Sequence, residues 1–235
     1  MDTRMKLLLA AERLFALRGP DGTSARMIVA EAGQKNASAL SYYFETREEL
    51  IEAICRLRME PINSDRIERV AQYLAHLPSP ADRLRVLVGI LGLPSLIPII
   101  DARGKSYFRR FLAQAINNPS TNFVPIVRDR FDSGLRQAAA LMRAEMPHLP
   151  VSIADKRIAT LIRVTSYLSA YLEARCAEGP WAVRKMEMET EIQLQIDGFV
   201  GFLRGAHTAP IGAKSLKTKS ADERDLNQTW EAALL

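Results

Sequence analysis

Apolar residues recur at three- and four-residue spacing along nearly the whole chain, with no alternating run long enough to form a useful strand. That pattern confines the fold class to all-α. Prolines then set the helix lengths. Pro20 alone falls in the first 60 residues, and the other 11 are spread from Pro61 to Pro210. Proline suits the first turn of a helix or a position just past its end. The spacing therefore predicts helices over about 3–18, 24–31, 36–43, 47–58, 61–77, 80–92, 102–117, 123–146, 152–177 and 181–204. The first four are short and the later ones longer. A shift at Glu60-Pro61, either a boundary or only a kink within one long connecting helix, divides a small domain, 1–58, from a larger helical one, 59–206, followed by a linker and tail, 207–235. The tail either stays a linker or forms a short helix from the Ser220–Glu223 capping box, docking through Trp230.

Composition narrows the function classes. With 48% hydrophobic and 25% charged residues, the 235-residue chain has ample apolar material for a core. Cys55 and Cys176 are too few for a disulfide scaffold and fit a reducing compartment. The first residues carry no basic segment followed by an apolar one, so no secretion signal is visible. The longest apolar run, Val86 to Ile100, is shorter than a membrane span and contains Gly89, Gly92, Pro94 and Pro98. A cytoplasmic protein without a membrane partner is expected. Phosphate-binding loops, His-Glu-x-x-His, Cys-x-x-Cys and Gly-x-Ser-x-Gly are all missing, and His76, His148 and His207 are scattered. Hence no catalytic residue, no metal and no cofactor is expected, and the chain is not read as an enzyme.

The net charge of +5 does not by itself mark a nucleic-acid face. Residues 1–60 hold nine Lys/Arg and nine Asp/Glu, while residues 61–206 hold 19 against 14. Geometry must carry the argument instead. Leu7, Leu8, Ala11, Leu14 and Phe15 form one apolar stripe, which Gly19-Pro20 ends. Thr23 or Ser24 caps a second helix that buries Ile28 and leads to Ala32-Gly33, where glycine supplies a positive-φ turn. A short polar-faced helix follows. This is the plan of a helix-turn-helix that lays its second helix in a major groove.

At these residues the chain resembles the TetR family of bacterial transcriptional regulators. The resemblance rests on Leu7-Leu8, Ala10-Ala11, Leu14-Phe15, Gly19, Thr23-Ser24, Ile28, Ala32-Gly33, Leu40, Tyr42-Tyr43-Phe44, Arg47 and Leu50. Val29 and Ser41 depart from the pattern, and one additional residue follows Gly33. The resemblance implies a DNA-binding domain followed by a helical effector-binding and dimerisation domain. It also implies a repressor that binds a palindromic double-stranded operator as a homodimer and is released by a small-molecule effector. The alternative is a helical scaffold of the same fold without DNA binding.

The DNA-binding set expected from both readings is Thr23, Ser24, Arg26, Lys35, Asn36, Ser38, Ser41, Tyr42, Tyr43 and Arg47. Asn36 and Ser38 suit base edges or phosphates, with helix capping as the alternative. Tyr42 and Tyr43 suit phosphates or core packing, Arg26 suits a phosphate, and Arg47 suits a phosphate or a surface pair with Glu48 or Glu49. In the larger domain, Tyr107, Phe108, Phe111, Phe123, Phe131, Met142 and Tyr167 are candidates for an effector pocket or for plain core. Arg103, Lys105, Arg109 and Arg110 either favour an anionic ligand or form a solvated helix face. The last two long helices are apolar on two sides. Val164, Tyr171, Gly198, Phe199, Gly201 and Gly205 are the candidate dimer face.

Overall fold

Asp2 opens the first helix by accepting the Met5 N–H at 2.7 Å; the computed structural model describes residues 1–207 other than 37, 119, 120 and 122. Every regular element among the described residues is helical. α1 (Thr3–Arg18) is followed by α2 (Ala25–Glu31), α3 (Ala39–Tyr43) and α4 (Arg47–Ala75). Next come α5 (Arg83–Gly92), a 3₁₀ turn (Leu93–Leu96), α6 (Ile97–Asp101), α7 (Phe108–Asn117) and α8 (Phe123–Val127). α9 (Ser133–Ala144), α10 (Val151–Cys176) and α11 (Trp181–Arg204) complete the described part. The tail features expected beyond residue 207 lie outside the described residues.

Local chemistry explains where the structure departs from the periodicity. The two helices expected around Pro61 are one, α4. Proline removes one backbone hydrogen bond, yet Ile54, Cys55, Ile62, Arg66, Val70 and Tyr73 are buried on either side and keep the chain helical. The helix expected from residue 102 starts at Phe108, because Arg103 and Gly104 take φ of 47° and 80°. The helix expected over 123–146 is interrupted near Asp129, at φ 61°. α3 is short because Asn36 Oδ1 accepts both the N–H and the hydroxyl of Ser38, an Asx turn that holds the approach non-helical.

Two main cores result. The first combines α1 to α4 with α7 and α8, where the Phe15 and Phe111 rings stack at 5.9 Å. The small N-terminal unit thus shares its core with the following helices. The second fills the space between the end of α4, α5, α9, α10 and α11 around Leu87, Met142, Ile158, Leu161 and Leu203. The helical run Arg83–Asp101 is longer than the sequence suggests and is long and apolar enough to cross a membrane. It is nevertheless divided among α5, the 3₁₀ turn and α6, and Leu84, Leu87, Val88, Leu91, Leu96 and Ile99 are all buried in cores.

Candidate nucleic-acid interface

The turn between α2 and α3 sets the presentation of α3. Ser24 caps α2 by accepting the Met27 N–H at 3.3 Å. At its other end the Gln34 N–H bonds to Val29 O and the Gly33 N–H to Ala30 O. That is a Schellman ending, with Gly33 at φ 67°. A Cβ on Gly33 would meet nothing within 4 Å, so the constraint there is the backbone angle rather than space. Ala39, Leu40 and Tyr43 then pack on the first core. The opposite side of α3 and its approach, with Lys35, Asn36, Ser38, Ser41 and Tyr42, is exposed.

Tyr42 is 82% exposed and meets Tyr43 edge-on at 4.9 Å. Arg26 and Lys35 are exposed, with no hydrogen bond or ion pair among the described residues. The Ser41 hydroxyl donates to Ser38 O at 3.1 Å. Asn36 uses its Oδ1 internally, while its amide N–H groups have no partner among the described residues.

Two of the expected residues are committed within the chain. Thr23 is buried, and its hydroxyl donates to Gly19 O at 2.9 Å, closing the α1–α2 turn. Arg47 donates to Pro20 O at 2.5 Å and Thr23 O at 3.2 Å, with Asp21 at 3.7 Å. In this state Arg47 ties the start of α4 to that same turn. A cap at the start of α4 lies beside it. Thr46 accepts the Glu49 N–H at 3.0 Å while Glu49 accepts the Glu45 N–H at 2.8 Å. The signal was legible as Thr46-x-x-Glu49.

Polar contacts link this unit to the helices behind it. Glu12 is buried and takes a two-pronged contact from Arg58, at 2.8 and 3.2 Å. Burial pushes the Glu12 carboxyl above its ordinary range, against the opposing pull of Arg58. Arg13 donates to the Tyr107 hydroxyl at 3.3 Å and to Glu31, at the end of α2, at 2.5 Å. Arg110 lies over the Tyr107 ring at 4.6 Å and reaches Glu173 at 3.3 Å. Glu173, fully buried on α10, also accepts the Arg109 and Arg110 N–H groups at 3.0 and 2.9 Å. A carboxylate thus caps the N-terminus of α7, where the helix dipole favours it. One chain of contacts runs from α10 through α7 to α1 and the end of α2.

None of the described clefts brings together the residues expected to line an effector pocket. Phe108, Phe111, Phe123 and Phe131 fill the first core and Met142 the second, while Tyr107 is partly exposed and Tyr167 is 49% exposed. Large side chains at core spacing were close-packed instead. The described clefts run elsewhere. One of about 290 Å³ lies between α10 and α11 near Tyr171, Cys176 and Met188. Another, of about 440 Å³, follows α4 and α5 past Tyr73, His76 and Ile90. Arg109, grouped with the solvated face in the sequence, is buried. The candidate dimer face is outward: Val164 and Tyr171 are 37% and 56% exposed, and Cβ atoms on Gly198 or Gly201 would meet nothing within 4 Å. Phe199 is partly buried against the second core, and Gly205 ends α11.

Comparison with known proteins agrees with this geometry. Residues 7–54 match the family described as "Bacterial regulatory proteins, tetR family". The fold is similar to the crystal structure of a tetR family transcription regulator from Shewanella sp. PV-4. That match has a TM-score of 0.54 and 16% identity, covering 86% of this chain and 97% of that one. An HlyIIR mutant protein with residues 170–185 substituted by alanine gives a TM-score of 0.48 and 18% identity, over 74% of this chain and 94% of that one. No curated protein sequence matches the chain. The N-terminal segment is therefore a TetR-type helix-turn-helix domain. The described chain shares its overall fold with the Shewanella protein.

Proposed function

We propose that this chain is a transcriptional regulator, a repressor that reads double-stranded DNA with the exposed side of α3 and its approach. The observation that carries this is the two-sidedness of residues 34–43. Ala39, Leu40 and Tyr43 anchor the segment, while Lys35, Asn36, Ser41 and Tyr42 are exposed, as is Arg26 on α2, which has no ion pair among the described residues. Phosphate contacts by Arg26, Lys35 and Tyr42 would fix orientation, and Asn36 and Ser41 would face base edges. Residues 1–58 form the reading unit in this proposal and 59–206 the responding one, with α4 the shared strut. The protein works in the cytoplasm as a homodimer on a palindromic operator. Support for the homodimer comes from the outward apolar side chains of α10 and α11, Tyr171 and Phe202 among them, beside the open Gly198 and Gly201. A small-molecule effector releases the DNA through the contacts that join α10, α7 and α1.

Salt titration on duplex DNA tests the assignment. Each phosphate contact contributes about 0.9 to the slope of log affinity against log salt, so one cation per subunit contributes about 2 in a dimer. Arg26→Ala and Lys35→Ala are each expected to flatten the slope by about that amount and to weaken all sequences alike. Unchanged slopes in both variants would mean that this face does not meet DNA, and would favour a helical scaffold of the same fold.

A further inference from the structure

Arg109 is the strongest anomaly in the interior. It is only 4% exposed, yet its side chain donates no hydrogen bond among the described residues, and its Nε is fully enclosed. A guanidinium carries five N–H donors, and burying them unpaired is costly. Arg66, on α4, is buried nearby and uses part of its guanidinium on Leu91 O at 3.1 Å and the Ser95 hydroxyl at 2.9 Å. The two cations repel each other, and burial lowers Arg66 to about 9 and Arg109 to about 10, so both remain charged at neutral pH. The buried carboxylate facing Arg109 is Glu173, which already serves Arg110 and two backbone N–H groups. Asp65, just before Arg66 on α4, also favours the Arg66 charge but is engaged by Arg69 at 2.6 Å, so the two buried cations share no carboxylate of their own.

We propose that Arg66 and Arg109 form an anion-binding site, and that the effector is an organic acid whose carboxylate lies between the two guanidinium groups. A carboxylate matches the planar donor fork of arginine and supplies the shared negative charge the two cations lack. The surroundings select an apolar body for the acid. Phe108, whose ring lies 6.0 Å from the Arg109 guanidinium, is fully buried, as are Ile62 and Val70 one turn to either side of Arg66. Inorganic phosphate, more strongly hydrated and without an apolar part, fits such walls poorly. Arg109 also ties the site to the DNA-reading unit, because its own N–H and that of Arg110 hold Glu173 in the contact chain leading to α1. This inference rests on the effector-responsive reading above and names its ligand class.

The test uses the full chain without DNA. Straight-chain carboxylates from acetate to decanoate, benzoate, the matching neutral amides and inorganic phosphate are each titrated by calorimetry and thermal melting. At least one carboxylate is expected to raise the melting temperature by about 5 °C at a hundredfold excess over its Kd, while its amide does not. Arg109→Met should melt at or above the unliganded wild type, because a buried unpaired charge has been removed, and should bind the carboxylate at least tenfold more weakly. Arg109→Lys keeps the charge and should retain part of the binding. Four outcomes would overturn the proposal: no carboxylate binding, equal binding of the amides, preference for phosphate, or undiminished binding by Arg109→Met. Should Arg109→Met fail to fold, Arg66→Met takes the decision, and undiminished carboxylate binding by that variant would overturn the proposal. DNA binding is read separately. Organic-acid binding without DNA recognition would keep this site and remove the regulator reading, whereas DNA recognition without organic-acid binding would remove only the site.

Discussion

Arg58→Met is expected to cost about 3 kcal/mol of stability at pH 7, lowering the melting temperature by roughly 6–12 °C. The variant leaves Glu12, whose side chain is 3% exposed, without the two hydrogen bonds that compensate its burial. Its pH dependence identifies the cause. The Glu12 carboxyl is already raised by burial and is pulled down chiefly by Arg58. Losing Arg58 therefore raises it further. A group whose folded pKa lies above its unfolded value binds more protons when folded, so stability falls as pH rises from about 4.5 through the folded value. The penalty of Arg58→Met should accordingly shrink when unfolding is measured near pH 5. Replacing both partners with Met should recover most of the loss, since a matched apolar pair leaves no buried charge. A penalty that is the same at pH 5 and pH 7, and persists in the double variant, would assign the loss to packing of α1 on α4.

Glu173→Ala is expected to be the second large loss, about 3–5 kcal/mol. The carboxylate is wholly buried and serves two N–H groups at the start of α7 as well as the Arg110 guanidinium. Its removal orphans those donors and leaves Arg109 without the carboxylate that faces it. Hydrogen exchange locates the damage, with the Arg109 and Arg110 amides expected to lose protection first while α11 keeps its own. Glu173→Gln retains an acceptor and should lose less. Arg109→Met added to Glu173→Ala should recover part of the stability, because it removes the charge left uncompensated. Purely additive losses would show that Glu173 acts as a cap alone.

The helix-turn-helix was legible because its signals are local. Ser24 as a cap, Ala32-Gly33 as a positive-φ ending and the apolar stripe of α1 each act within a few residues. What the sequence hid depends on contacts distant in the chain. Pro61 reads as a boundary, yet burial of the residues around it carries α4 through. Arg47 reads as a phosphate ligand by position, but the carbonyls of Pro20 and Thr23, more than 20 residues earlier, occupy it. Arg109 was grouped with its charged neighbours although it lies three residues before Leu112 and seven before Ile116, on a side of α7 that packs inward. Glu173 similarly follows Ser169 by four residues on the buried side of α10. Helical spacing could have placed both residues inside, but it could not have said what they would meet there.

The central claim is that the outward side of α3 reads DNA, twice per dimer. Selection of bound duplexes from a random pool by the full chain tests it most directly. The expected product is an enriched inverted repeat, with half-site centres about one helical turn, 34–36 Å, or a multiple of it apart. Asn36→Ala should relax preference at one position in each half, at about 1–3 kcal/mol per lost bidentate contact. A pool that emerges without enrichment, or an enriched site that Asn36, Ser41 and Tyr42 variants all bind unchanged, would contradict the account.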